Sequence, residues 1–506
     1  MGNSILSQKI NHLLDCDEFK KLEQLLFQKL NEFQSLPEPD YFLLSTIAGG
    51  LISLGNESND IKSIEKGTKI FTDYEKEISG KAITKCSFNY NLGNGYNSKF
   101  KALAREIPNF YPTIENVRDT LFLAKQRYLR AFKEVDLQNI NAFTIKLLTN
   151  LGNSLGSSGR EVESQQWYNL VLNHEPSFPQ ALVSKANSLR RIVMVTHVKG
   201  SISMSAEIYR LYDRVDLRRI PSIAVKNDIV QFMSFIKKKL TEEGFTIDRL
   251  HDEIELSRKE YKLHSNIVKY YMDNSLGLSE HGLYCKCNGA VSDELSIGQK
   301  GFETYNVKIM ELELLNNRIK SEFAMARRLF YEHVHKTKSD TVFYQRVVPG
   351  IEHGLNSENV RISFRLCFGI LDKIARGICH LFDLQKGDKE DLYFESFWKN
   401  SRAPERWNQL KSIKNIHLTA LYSIASDLNR VQGEFHFYKK WRNDLEHEIF
   451  NISNSNFDKD YMKSDWTENH FSKEEFVNKT LHLLQLTRSA IFSFVFCARK
   501  EMIYKV

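Results

Sequence analysis

The segment Phe437–Glu448 (FYKKWRNDLEHE) places Arg442 and Asn443 side by side, with His447 five positions after the arginine. These residue types suit acid–base chemistry on an anion. An imidazole titrates near neutrality and can give or take a proton, worth about 10²–10⁴ in rate. A guanidinium can hold a phosphate through two parallel contacts and stabilise charge that grows on its oxygens. Residues five apart on a helix differ by about 140° in direction. Arg442 and His447 therefore converge on one target more easily if a second copy of the segment faces the first. A structural alternative exists for the same residues. Asn443-Asp444-Leu445-Glu446 also fits a helix start with a capping box, which would make Arg442 and His447 ordinary surface groups.

Spacing alone does not single out this pair. Arg258/His264, Arg328/His333, Arg346/His353 and Arg430/His436 have similar separations. Arg442 differs in being followed by Asn443, whereas Leu329 follows Arg328, its nearest rival. His281, Cys285 and Cys287 offer three soft donors, but at an unusual spacing and with no second C-x-x-C or H-x-x-x-H nearby. The expectation there is a loop or short hairpin with free thiols, no metal and no cofactor. His380, beside Cys379 on an apolar helix, reads as a core residue, and Glu352-His353 after Pro349-Gly350 reads as a turn.

The elements that carry these groups are helical. With 9 Pro and 24 Gly in 506 residues, long helices are favoured over a turn-rich β fold. At 42% hydrophobic the chain can bury large cores, and its length calls for more than one of them. Seven cysteines, odd in number and mostly solitary, argue against a secreted disulfide framework and for reduced thiols in the cytoplasm. The opening MGNSILSQKI lacks a basic segment followed by an apolar core, and Leu6 stands where a myristoylation site needs Ser or Thr. The apolar run near 490–498 is about half of what a membrane helix requires, so no membrane partner is expected. The net charge of +7 permits a polyanionic partner without demanding one.

Helical periodicity fills the first 240 residues. Tyr41–Leu54 and Ile61–Ile78 read as an antiparallel pair joined at Gly55-Asn56. Leu151-Gly152, Leu155, Ser164, Tyr168, Val171 and Pro176 follow the spacing of a tetratricopeptide repeat of about 34 residues. Ala186 and Leu189 stand one period further on, and an earlier unit begins at Leu92-Gly93. These repeats resemble the tetratricopeptide family, although an irregular array of helical hairpins fits the residues too. Either gives a solenoid able to hold a peptide or protein. The basic residues Arg190-Arg191, Arg210, Arg214, Arg218-Arg219 and Lys237–Lys239 form a solvated helix face or an RNA-guiding surface. Residues 274–304, rich in Gly, Ser and Asn, read as the break between domains. Helices are then expected over Tyr305–His335, Glu358–Leu384 and Ile416–Val431, from near Phe435, and over Lys473–Lys500.

Within that helical bundle, R-N-x-x-x-H at Arg442–His447 resembles the motif of the HEPN ribonucleases. Arg365–Ala375 and Leu418–Asp427 add to the likeness, which covers about 305–505. The resemblance implies an all-α chain with a TPR-like solenoid (1–250), an irregular linker (251–304) and a HEPN bundle of four or five helices (305–506). It implies an endoribonuclease in which the RNA's own 2′-hydroxyl attacks the phosphate without a metal, leaving a 2′,3′-cyclic phosphate. His447 would move the proton, Arg442 would clamp the phosphate, and Asn443 would position one or the other. Asp372, Lys373, Lys440 and Asp444 are candidates for lining the groove. Such nucleases build one site from two domains, and this chain has one motif, which implies a homodimer. Single-stranded RNA or tRNA is the implied substrate, and a toxin or antiphage role goes with it by analogy. The rival is a non-catalytic scaffold that binds peptides through its solenoid and dimerises through its bundle.

Overall fold

The computed structural model describes residues 2–220, 222–244, 256–298, 307–335, 350–384, 392–429, 431, 433–448, 450–454 and 470–502. Among them the chain is all-α, apart from one short pair of strands and two isolated bridges. It forms two compact units, Met1–Ser158 with Lys411–Lys414, and Gly159–Leu410 with Asn415–Val506.

Helices of eleven residues or more are numbered here in chain order. The first unit contains α1 (Gly2–Asp15), α2 (Phe19–Ser35), α3 (Tyr41–Ser58), α4 (Ile61–Asp73), α5 (Lys85–Glu106), α6 (Leu121–Phe132) and α7 (Ala142–Ser157). Side chains that favour helix starts open several of them. Asp40, Asp60, Thr84 and Asn141 each accept a backbone N–H of the following turn. Leu22, Leu26, Leu44, Ile47, Leu51, Phe71, Phe88 and Leu92 form a common core. The hairpin of α3 and α4 turns at Asn59, which takes a left-handed conformation, and not at Gly55-Asn56 as the sequence suggests. Gly55 lies inside α3, where a Cβ would come within 2.5 Å of the Asp60 carbonyl oxygen. That glycine permits a close approach of two helices; it does not make the turn.

The second unit contains α8 (Glu161–His174), α9 (Pro179–Val193), α10 (Val198–Asp213), α11 (Ile223–Glu242), α12 (Val307–His335), α13 (Leu355–Leu381), α14 (Ile416–Asp427), α15 (Phe437–His447) and α16 (Lys473–Met502). Helices α8 to α11 pack as successive neighbours, and Pro179 opens α9 at a position where its missing N–H costs nothing. Leu151, Leu155, Ser164, Tyr168, Val171, Ala186 and Leu189 are all buried. The expected repeat over 151–176 nevertheless has its first helix in one unit and its second in the other.

The bundle is built from α12, α13, α14 and α16. From Leu483 to Ala498, α16 buries residues all round, which marks it as the central helix. By length and composition α16 could cross a membrane, unlike the short apolar run read from the sequence. However, 83% of its most apolar window is buried inside the fold, as in the core helix of a bundle. The strands β1 (Asn451–Ser453) and β2 (His470–Ser472) pair in parallel, with Ile452 opposite Phe471.

The sequence reading sets its divisions at 250 and 304, whereas the compact units divide after Ser158. Long-range polar contacts account for this. The buried Arg160 guanidinium pairs with Asp427 of α14 and donates to Glu163 at 2.8 Å. Residues 276–298 are irregular, as expected, but they are packed and do not form a loose linker. Leu276, Leu278, Leu283, Leu295 and Ile297 are buried. Arg327 of α12 donates to the Leu276 carbonyl at 2.8 Å, and Arg488 of α16 donates to that of Gly277 at 2.6 Å. Arg499 reaches the carbonyls of Ser296 and Val195 and both carboxylate oxygens of Glu280. The ends of the expected linker, 251–255 and 299–304, lie outside the described residues.

Two histidines, His417 buried and His482 half-buried, set an acid limit on this unit. Burial, with Lys500, Arg191 and Arg499 nearby, pushes His417 down to about 3, and burial pushes His482 to about 4. Both lie below the value near ~6.5 of an unfolded chain. Their contribution is therefore intact above pH ~6.5 and is lost as pH falls toward the folded values, at roughly 1.4 kcal/mol per unit for each group. A thermal midpoint that falls between pH 6.5 and 4 is expected, with a shallower fall in His417→Gln. Identical slopes in the two proteins would count against this assignment.

Candidate functional site

Helix α15 is placed by an aromatic cluster. Tyr438 and Trp441 face inward against Phe364 of α13 and Phe476 of α16, with Phe450 and Phe471 beside Trp441. Taking Tyr438 as the inward direction, Arg442 lies about 40° from it and His447 about 180°. Arg442 is accordingly half-buried at the edge of the packed face, while the His447 side chain is 72% exposed. Because the helix begins at Phe437, Asn443–Glu446 are interior helical residues. The capping-box alternative therefore does not apply.

The link between the two expected site residues is Glu446, about 80° round from Tyr438 and so between them. One carboxylate oxygen lies 3.3 Å from Arg442 Nε and the other 4.0 Å from His447 Nε2. A single carboxylate thus lies between the guanidinium and the imidazole. Sequence reasoning missed Glu446, although its place four residues after Arg442 and next to His447 was readable. An exposed pair of this kind is worth only about 0.3–0.5 kcal/mol. Glu446→Gln should therefore free Arg442 at little cost and tighten binding of an anionic oligonucleotide about twofold. Titration by fluorescence anisotropy at low salt would measure it, and weaker binding by the variant would refute the competition.

The groove candidates fall into distinct settings. Asp372 of α13 accepts the Phe394 backbone N–H at 2.7 Å and so fixes the short helix Phe394–Phe397. That contact sets Tyr393, whose partly exposed ring lies 5.8 Å from the Arg442 guanidinium. Burial pushes the Asp372 carboxyl up, opposed by the Phe394 N–H and by Arg442, Arg376 and Lys373. Lys373 pairs at 3.0 Å with Glu322 of α12, which also holds Arg318. Lys440 is exposed, and Asn443 is half-buried on α15. Asp444 is buried, and burial pushes its carboxyl up against the opposing charge of Lys440. The structure thus brings Arg442, His447 and Asp372 into one neighbourhood through Glu446 and Tyr393, and draws Lys373 toward α12. Tyr393 belongs to the charged excursion after α13, where no periodicity marks it.

Other expectations resolve differently. His380 is not a core residue: its side chain is exposed and pairs with Glu311 at 2.8 Å, while Cys379 is buried. Glu352 donates its N–H to Ile452, and the neighbouring Ile351 bridges to Ser453. The basic residues of α9 and its surroundings are largely paired, Arg190 with Asp228, Arg191 with Glu161, Arg210 with Glu207, Arg218 with Asp216 and Arg219 with Glu175. Arg346 and Arg430, from two of the rival pairs, lie outside the described residues.

Comparison with curated proteins and with solved structures gives no significant match. Residues 304–501 match the family described as LA2681-like HEPN. That range holds the whole bundle, both strands and the Arg442–His447 helix. The C-terminal part of the chain, residues 304–501, is therefore a HEPN domain of the LA2681-like kind.

Proposed function

We propose that the chain is an endoribonuclease of the cytoplasm, acting on single-stranded RNA or tRNA. In this reading the 2′-oxygen of the RNA bonds to the adjacent phosphorus, and the bond from phosphorus to the 5′-oxygen breaks. The products end in a 2′,3′-cyclic phosphate and a 5′-hydroxyl. His447 moves the proton between the 2′-hydroxyl and the leaving oxygen. Arg442 displaces Glu446 to hold the phosphate, Asn443 positions it, and Tyr393 offers a ring on which a base can stack. The observation that carries the reading is an exposed His447 and an Arg442 joined by one carboxylate on a helix of a HEPN domain. The divergent directions of the two side chains suit a site completed by a second copy, so the working form is a homodimer through the HEPN domain. A toxin or antiphage effector restrained by its helical repeats is the role this reading assigns.

Labelled RNA incubated with the full chain and EDTA tests the proposal. Cleavage to cyclic-phosphate ends, lost in His447→Ala and Arg442→Ala, is the expected result. Equal cleavage by all three proteins, or a strict monomer under cleaving conditions, would remove it. The second reading is a non-catalytic scaffold that dimerises through the bundle. It draws on the pairing of Arg442 with Glu446, which leaves that guanidinium already neutralised, and it predicts no cleavage by any of the three.

A further inference from the structure

Outside the HEPN site, one cluster gathers the donor atoms of a soft cation. His281, Cys285 and Cys287, which the sequence spaces oddly, have their ligand atoms within 4.8 Å of one another. Two short turns make this possible, His281–Leu283 and Asn288–Ala290, which fold the segment back on itself. His281 Nε2 lies 3.0 Å from Cys287 Sγ. The other ring nitrogen, Nδ1, lies 2.7 Å from the Tyr284 hydroxyl. When Nδ1 carries the proton and donates to that oxygen, Nε2 is left with its lone pair aimed at the cluster, the arrangement metal-binding histidines use.

The thiols are also prepared as ligands. The Cys287 backbone N–H donates to Cys285 Sγ at 3.4 Å, and Ser257 Oγ lies 3.2 Å from the same sulfur. Gly289 borders the donors: a Cβ there would come within 3.3 Å of His281 Cδ2 and 3.6 Å of Cys287 Sγ. A side chain would crowd the cluster, and glycine leaves that side open. The geometry points to a zinc site formed by His281, Cys285 and Cys287, with water in the fourth position, that ties the two turns at 281–290 to each other.

The chemistry fits zinc better than a hard cation. Two thiolates and a neutral imidazole are soft donors that suit Zn²⁺, whereas Ca²⁺ and Mg²⁺ take oxygen ligands. Two thiolate charges cancel those of the ion, so the half-buried site carries no net charge. A tetrahedral centre, with bonds of about 2.3 Å to sulfur and about 2.0–2.1 Å to nitrogen, separates its donors by roughly 3.5–3.8 Å. The cluster reaches that spacing with small side-chain movements. The segment needs such a staple. It has no regular ladder of its own, yet its carbonyls receive Arg327, Arg488 and Arg499 from two bundle helices.

The test uses the full chain without a purification tag, grown with zinc and desalted under reducing conditions. Elemental analysis should find about one zinc per chain, and the Cys285→Ser/Cys287→Ser double variant should hold none. X-ray absorption of the wild type should show two sulfur neighbours and two nitrogen or oxygen neighbours, a result that needs no variant to fold. Cobalt in place of zinc should give a sulfur-to-metal charge-transfer band and the visible bands of a tetrahedral site. Zinc should raise the thermal midpoint of wild type and leave Cys287→Ser unmoved. Zinc content no higher than in the double variant, an all-oxygen coordination shell, or a Cys285–Cys287 disulfide in place of metal would each overturn the proposal. These readouts are independent of RNA cleavage.

Discussion

His447→Ala is expected to lower cleavage of single-stranded RNA by about 10²–10⁴-fold with little change in stability. The His447 side chain is exposed at the end of α15 and joins no buried network, so truncation leaves the aromatic face of that helix intact. Arg442→Ala should lose at least as much cleavage. It should also change binding, because in the proposed reaction the guanidinium makes a charge-assisted contact to the phosphate. Arg442→Lys keeps the charge but not the two-pronged geometry and should recover only part of the loss. Single-turnover rates with an oligonucleotide of defined sequence would separate these cases. A His447→Ala rate within threefold of wild type would show that the proton is moved by another group.

The largest effect on stability should come from Asp427→Ala. Asp427 and Arg160 are both fully buried, and Arg160 also donates to Glu163 and to Ser423 Oγ at 3.3 Å. Removing Asp427 takes one of two carboxylates from a guanidinium held away from water and leaves that side of it uncompensated, at about 3–5 kcal/mol. Replacing all three charges together, as in Arg160→Met with Glu163→Gln and Asp427→Leu, leaves no ion of the cluster stranded and should cost much less. The five tryptophans all lie beyond residue 158, so intrinsic fluorescence during urea unfolding follows the second unit. If the single variant unfolds at the wild-type denaturant concentration, the pair does not hold this unit together.

The contrast between what was legible and what was not follows from range. Periodicity located the long helices of the bundle to within a few residues, because an amphipathic stripe is a local property of sequence. It placed Arg442 and His447 on one helix for the same reason. The division after Ser158 was not readable, since it depends on contacts such as Arg160 with Asp427, 267 residues apart. The packing of residues 276–298 was hidden too: Gly, Ser and Asn mark irregular backbone without saying whether arginines elsewhere will hold it. Asp372 was legible as a candidate, but its hold on the segment carrying Tyr393 was not, because a backbone N–H as donor leaves no mark on residue type.

The grip of Arg488 and Arg499 on carbonyls at 277, 296 and 195 bears on what is inherited and what folds. The stretch that marks kinship begins at residue 304, but these guanidiniums find their acceptors upstream of it. Cut at the kinship boundary, the fragment would keep its guanidiniums and lose the oxygens that make them tolerable in a dry interior. In this chain the HEPN domain has outsourced part of its interior to polypeptide that precedes it, so the smallest self-sufficient body is larger than the stretch that marks the family.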